Sequence, residues 1–346
     1  MAGQPRDLIV VGASAGGVEA LREFAAGLPA DLPAAVLVVL HLPPGGASAL
    51  PAILDRAGPL HALSARDGEP LRRAHLYTAV PDHHLLVHDG RIVLSRGPTE
   101  NGYRPAVDAL FRSAAVDRGP RVIGVVLSGA LDDGTAGLAA IKARGGVAVA
   151  QDPHEAIYRA MPDNALARVA VDHVLPSGKI GGVLAERVRE VVDGESNDPG
   201  PAVDEVEARI ARSEGNANVV SREVFDVSQP SGLACPDCHG VLHSLDEAGT
   251  RYRCRVGHAW TAKALFYQQS LGIEQALWAA LRALEEKRDL AIRMSQDADH
   301  RGFHLVSARY ERHRAEADHA AGVLRTFLFE ELPIVDEADD ASDETA

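Results

Sequence analysis

The hydrophobic pattern divides the chain into two textures. From residue 7 to residue 185, short unbroken apolar runs alternate with stretches whose apolar positions recur every three or four residues. Leu8–Val11, Ala35–Leu40, Val122–Leu127 and Val147–Ala150 are rich in Val, Ile and Leu and offer almost nothing polar to water. Strands buried on both faces read this way, so the pattern predicts a parallel sheet with helices between its strands. Helices are expected at Gly17–Ala26, Pro105–Val116 and Gly134–Ala143, the second opening on a proline, where a missing N–H costs nothing. His75–Val80 followed by Leu85–Leu94, with Asp89-Gly90 in the middle, breaks the rhythm and predicts a hairpin, an antiparallel edge or flap. The fold class is therefore α/β, a doubly wound, mostly parallel sheet with an antiparallel hairpin.

Beyond Asp193 periodicity gives way to Gly, Pro, Ser, Asn and acidic residues, which predicts a linker over 191–215. A cysteine- and histidine-bearing unit follows over 222–261. Two long helical patterns come next, about Ala262–Met294 and Phe303–Phe329, turning at Asp297–Gly302 into a hairpin over 262–330. In the first, Ile273, Leu277, Leu281 and Leu284 share a face, and with Trp278 they predict the hairpin's seam or, alternatively, a surface for self-association or a partner. The tail 331–346 is acidic and expected to be disordered.

At 346 residues the chain is long enough for about two cores. Its net charge of −14 argues against a nucleic-acid binder held by phosphate contacts. Six acidic and no basic side chains lie in 191–208, and seven and none in 331–346, which together give −13 and leave the rest near neutral. The acidity thus predicts a solvated linker and tail. No apolar run approaches the roughly 18 residues of a membrane span, and the N-terminus carries no export signature, so membrane insertion is not expected and a cytoplasmic location is.

The first strand runs into Gly12-Ala13-Ser14-Ala15-Gly16-Gly17 and then a helix, which is the G-x-S-x-G spacing of a nucleophile elbow. Glycines let the backbone turn tightly, and free N–H groups at the helix start can face a developing oxyanion. The same loop could instead cradle a phosphate. A dinucleotide fold, however, places an acid at the end of the second strand, whereas Ala35–Leu40 ends in His41. A third strand end carries Ser128-Gly129-Ala130-Leu131-Asp132-Asp133-Gly134. Serine, histidine and carboxylate at three strand ends can form a triad, here in the order Ser, His, Asp rather than the Ser, Asp, His of α/β-hydrolases. His83, His84, His88 and His154 read as surface residues.

Over residues 5–190 these motifs, with Leu40-His41-Leu42-Pro43 and Ala160-Met161-Pro162, resemble the catalytic domain of the chemotaxis-type protein-glutamate methylesterases, the CheB family. The resemblance implies Ser14 as nucleophile, His41 as general base and acid, and Asp133 as orienting carboxylate, a choice over Asp132 that the residues alone do not make. It also implies an oxyanion site at the backbone of Ala130, beside Ala15 and Gly16. The family has methionine and threonine where Ala130 and Ala15 stand, changes that a backbone donor survives. The implied reaction is hydrolysis of glutamyl γ-methyl esters on chemoreceptor-like proteins, with glutamine deamidation by the same route and no cofactor for catalysis. Family members commonly carry a receiver domain before the esterase; this sequence starts at the first catalytic strand, so activation is expected through the second domain, through a partner, or not at all.

Cys235, Cys238, Cys254 and His258 give C-x2-C-x15-C-x3-H, the layout of a zinc ribbon, with His239 and His243 as competitors for the fourth corner. A structural zinc is expected, and a chelator should unfold this unit while sparing the esterase. The competing reading of the whole chain is a catalytically weak signalling scaffold that works through the ribbon and helices.

Overall fold

The computed structural model describes residues 3–42, 45, 48–192, 202–213 and 228–331. Pro43, the linker positions 193–201 and 214–215 and the tail beyond 331 lie outside the described residues. The chain forms two compact units, one running to Leu265 and the other Phe266–Asp336.

The first unit is built on seven strands: β1 (Leu8–Ala13), β2 (Ala35–Leu40), β3 (His61–Ser64), β4 (His75–Thr78), β7 (Val122–Val126), β8 (Val147–Gln151) and β9 (His173–Leu175). β5 (His84–His88) and β6 (Arg91–Ser95) stand apart as an antiparallel pair. The sheet order is β9-β8-β7-β1-β2-β4-β3, parallel throughout. Every residue of β1 and β2 is buried, which is why these runs carry no alternation. Ile9 and Val11 face one apolar cluster with Leu21, Phe24, Ile180 and Leu184 from helices α1 (Gly17–Ala26) and α6 (Ser177–Arg187), with α2 (Leu50–Ala57) adding Leu54. Leu8 and Val10 face the other, with Phe111, Ile141 and Met161 from α3 (Val107–Arg118), α4 (Thr135–Ala143) and α5 (Ala160–Arg168). The sheet is thus doubly wound as expected. Because β1 connects outward to β2 while β7 lies on its other side, β1 marks the topological switch point where ligands bind in such sheets.

The expected hairpin narrows to β5 and β6, turning at Asp89 and Gly90, both with positive φ. His75–Thr78 pairs in parallel with β2 and β3 and belongs to the main sheet. His84 is a correction: it is fully buried, with Nε2 2.9 Å from Pro98 O and Nδ1 accepting from Ala106 N–H.

The expected linker is also corrected in part. Ala202–Ala211 is a helix, α7, whose buried positions include Asp204 and Glu207. Both acids meet arginines: Asp204 takes Arg144 Nη1 at 2.7 Å, and Glu207 takes Arg253 Nη2 at 2.7 Å and Arg251. Arg253 also reaches Glu100 at 3.1 Å, which Arg112 Nη2 holds through both carboxylate oxygens at 2.6 Å. Arg251 and Arg253 lie on β12 (Arg251–Cys254) of a four-stranded antiparallel sheet with β10 (Gln229–Ala234), β11 (Val241–Ser244) and β13 (Ala259–Thr261). The cysteine-bearing sheet is therefore locked into the first unit by a buried ionic cluster.

In the second unit, α8 (Ala262–His300) and α9 (His304–Thr326) bury Leu281, Ala291 and Ala298 along with Ala317 and Ala321. Ile273 and Trp278, expected in the seam, are 57% and 42% exposed. Among the described residues no helix is long and apolar enough to cross a membrane.

Burial opposes the charges of Glu100 and Glu207, but the facing arginines outweigh it and hold both carboxyls below their usual 4.5. Such shifted acids stabilise the fold fully above pH 4.5, and that stabilisation is lost as pH falls below it, because the unfolded chain then takes up protons first. In a Trp278→Phe protein, emission of the buried Trp260 should shift to the red as pH drops below 4.5. Glu207→Gln should lower the unfolding free energy by about 3–5 kcal/mol in denaturant titration. Emission constant from pH 7 to pH 3 would contradict the cluster's role.

Candidate active site

Three neighbouring strands, β7, β1 and β2, deliver the candidate residues at their carboxyl ends. Ser14 follows β1 directly; its N–H donates to Ser128 O and its carbonyl accepts Gly17 N–H, both at 2.9 Å. Gly16 turns with φ +67°, which L side chains rarely adopt, and this lets α1 start at Gly17. The loop after β7 comes equally close: a Cβ on Gly129 would lie 2.0 Å from Met161 Sδ and 2.9 Å from Ser14 Cβ. Ser128 stitches the two loops, with its N–H 2.7 Å from Gln151 Oε1 and its hydroxyl donating to Ala15 O at 2.9 Å.

His41 bridges the other two residues. Its Nδ1 is 2.9 Å from Ser14 Oγ and its Nε2 is 2.7 Å from Asp133 Oδ2. An ionised carboxylate only accepts, so Nε2 carries the proton and Nδ1 presents its lone pair to the serine hydroxyl. One face of the imidazole stacks on Tyr103, with ring centroids 3.7 Å apart and planes 8° from parallel.

The structure separates the two adjacent aspartates. Asp132 turns away and accepts Thr261 Oγ1–H at 2.7 Å, whereas Asp133 faces His41. Asp133 also accepts the first amides of α3, Val107 N–H at 2.7 Å and Asp108 N–H at 3.1 Å, together with Gly134 N–H at 3.1 Å and Asn101 Nδ2 at 3.3 Å. Asp108 returns the service to α4, accepting Gly134 N–H at 3.0 Å and Gly137 N–H at 2.6 Å. Burial opposes ionisation of Asp133, but the hydrogen bond and charge of His41 and the α3 amides win, and the carboxyl is held below its usual range. Burial and then the charge of Asp133 push Asp108 well above its own. Burial and the neighbouring carboxylate thus act in opposite senses on the two acids, and the carboxyl facing His41 is the one held low.

Beside the triad a cleft of about 430 Å³ opens, lined by His41, Leu42, Asp82, Thr99, Gly102, Tyr103 and Arg104. Among the described residues no acceptor takes the N–H of Ala15, Gly16 or Ala130. Leu131, next to Ala130, has φ 57°, an unfavourable value for leucine, and Asn164 Nδ2 holds its carbonyl at 2.9 Å. Sequence reasoning missed Asn101, Tyr103, Gln151 and Thr261. The Asn101-Gly102 dipeptide was a turn signal, and both residues do have positive φ.

The cysteine cluster is equally compact. Cys235 Sγ and Cys254 Sγ lie 3.7 and 3.5 Å from His258 Nδ1, and Cys238 Sγ lies 3.6 Å from Cys254 Sγ. A tetrahedron with zinc–sulfur and zinc–nitrogen bonds of about 2.3 and 2.05 Å has edges of roughly 3.8 and 3.6 Å, so the four atoms fit such an ion. His239 and His243 are not in the group, and the fourth corner falls to His258.

A serine, an imidazole and a buried carboxylate thus stand within hydrogen-bond reach of one another at the switch point of a doubly wound α/β sheet. The profile of the CheB methylesterase family matches residues 9–184, and the chain belongs to that family. A protein-glutamate methylesterase/protein-glutamine glutaminase of Symbiobacterium thermophilum is 38% identical over 187 residues, covering 54% of this chain and 52% of the relative. One of Caulobacter vibrioides is 38% identical over 192 residues, 54% of this chain and 55% of its own. The chain therefore spans about half the length of the curated relatives it matches. The crystal structure of the Thermotoga maritima CheB methylesterase catalytic domain, 33% identical, superposes with a TM-score of 0.50 over 54% of this chain and 99% of that one.

Asp133→Asn should place an amide against His41 Nε2 and favour the wrong tautomer. The rate of Ser14 modification by a fluorophosphonate should then fall by roughly 10⁴, read by intact-protein mass spectrometry; a fall of less than tenfold would contradict the geometry.

Proposed function

We propose that this protein is a protein-glutamate methylesterase acting on methylated chemoreceptor-like signalling proteins. The observation that carries the reading is the pair of His41 contacts, 2.9 Å to Ser14 and 2.7 Å to Asp133, within the family-matched region. In this mechanism Ser14 Oγ attacks the γ-carbonyl carbon of a glutamyl methyl ester while His41 Nδ1 takes the hydroxyl proton. The oxyanion gathers toward the Ala15, Gly16 and Ala130 amides, and Asp133 stabilises the imidazolium. His41 then gives its proton to the departing methoxide, releasing methanol and leaving an acyl-serine. Water, deprotonated by His41, adds to the acyl carbon; collapse returns the proton to Ser14 and frees a glutamate carboxylate. Glutamine follows the same course with ammonia as the leaving group. No metal or cofactor takes part in these steps.

Cys235, Cys238, Cys254 and His258 are read as a structural zinc site, supported by the tetrahedral spacing of their donor atoms and by their number, since four protein donors fill the position that a catalytic zinc keeps open for water or substrate. The scaffold reading is not favoured, because it gives no account of an aligned serine, histidine and carboxylate.

Ser14→Ala should abolish methanol release from methylated receptor preparations; release near the wild-type rate would refute the assignment. Freshly purified protein should carry about one equivalent of zinc by elemental analysis, and less than half an equivalent would count against the ribbon site.

A further inference from the structure

The ribbon reaches the triad along a continuous line of hydrogen bonds. Its last strand, β13, lies against the segment Thr99–Tyr103: Ala259 N–H donates to Thr99 O at 3.1 Å, and Asn101 N–H donates to Ala259 O at 2.8 Å. Thr261, the end of that strand, makes two contacts with the catalytic region. Its N–H donates to Asn101 Oδ1 at 2.8 Å and its hydroxyl to Asp132 Oδ1 at 2.7 Å. With Oδ1 committed to a backbone donor, Asn101 must turn Nδ2 the other way, and that nitrogen lies 3.3 Å from Asp133 Oδ1. Asn101, Asp132, Asp133 and Thr261 are all buried, so water cannot substitute for a lost partner. At the far edge of the same segment, Thr99 Oγ1 donates at 2.6 Å to Asp237, which stands between Cys235 and Cys238. Tyr103, whose ring covers His41, ends the segment.

We propose that Asn101 and Thr261 are positioning residues for the Ser14–His41–Asp133 set, and that the metal-held ribbon is thereby a working part of the esterase site. Asp133 must present Oδ2 to His41, and its rotation about the Cβ–Cγ bond is set by what Oδ1 accepts. The Asp108 and Gly134 amides supply two of those donors from the catalytic fold itself. Asn101 supplies a third, and its orientation is imposed from the ribbon. Thr261 meanwhile occupies Asp132, which keeps the neighbouring carboxyl from competing for the imidazole. A misplacement of about 1 Å at such a set costs on the order of 10²-fold in rate. Under this proposal, removing the metal slows the esterase instead of sparing it.

The proposal rests on the esterase reading, and the test separates the two. The full chain is treated with a fluorophosphonate, and both the maximal rate and the half-saturating concentration of Ser14 modification are measured. Thr261→Val keeps the side chain's shape without its hydroxyl, Thr261→Ser keeps the hydroxyl, and Asn101→Ala removes the bridge. Thr261→Val and Asn101→Ala should slow the maximal rate about 10- to 100-fold with the half-saturating concentration unchanged, and Thr261→Ser should stay within about threefold of wild type. Wild-type protein stripped with a chelator should slow similarly and recover on adding Zn²⁺. Each protein's folded fraction is measured by circular dichroism under the same conditions; irreversible loss of folded protein would lower the amplitude of modification rather than its rate, so a lost amplitude at an unchanged rate, or a slowing no larger than the loss of folded fraction, overturns the proposal. Wild-type rates in Thr261→Val and in the stripped protein overturn it as well. Failure of the wild-type protein to be modified at Ser14 overturns the esterase reading and this proposal with it.

Discussion

The carboxylate of Asp133 is the point on which the first unit converges. A buried anion is tolerable only when donors surround it, and this one accepts from His41, Val107, Asp108, Gly134 and Asn101. The five donors come from four parts of the fold: the end of β2, the start of α3 (Val107 and Asp108), the loop after β7, and the segment beneath the ribbon. The positive end of α3 favours the charge, and the charge satisfies amides that the helix leaves open. Satisfying the backbone and orienting the imidazole are here one task, so the architecture that builds the sheet also sets the tautomer that chemistry requires.

A second layer of buried charge ties the ribbon and α7 to the same region. Glu100 and Glu207 share Arg112 and Arg253, and Glu207 also takes Arg251; the three arginines come from helix α3 and the ribbon strand β12. Ionic clusters of this kind add little net stability over apolar packing, but losing one member is costly, which makes them devices for specifying a single docking geometry. Glu100 leads directly into Asn101 in the chain, so the docking geometry and the surroundings of Asp133 are set within adjacent residues.

What was legible in the sequence follows from the range of the forces involved. β1 and β2 and helix α1 carry continuous or periodic apolar patterns, and these local signals located Ser14 and His41 at strand ends. The choice of Asp133 over Asp132 was not legible, because adjacent residues differ only in which way the loop turns them. α7 escaped notice for a physical reason: part of its buried face is Asp204 and Glu207, and their partners Arg144, Arg251 and Arg253 lie dozens of residues away. A search for apolar periodicity reads such a helix as solvated linker. His84 was hidden in the same way, its burial arranged by Pro98 and Ala106 across the hairpin. The spacing of three cysteines and His258, by contrast, was sufficient to assemble one cluster, because metal ligation imposes short-range rules on sequence.

The proposed chemistry depends most directly on which nitrogen of His41 carries the proton. In the neutral imidazole it requires the proton on Nε2, bonded to Asp133, and a bare Nδ1 facing Ser14. Nitrogen-15 NMR of histidine-labelled protein, with His41 assigned through a His41→Gln control, reads this at once. A one-bond proton coupling at Nε2 and none at Nδ1 is the result the account predicts. A proton on Nδ1 with a bare Nε2 would contradict it.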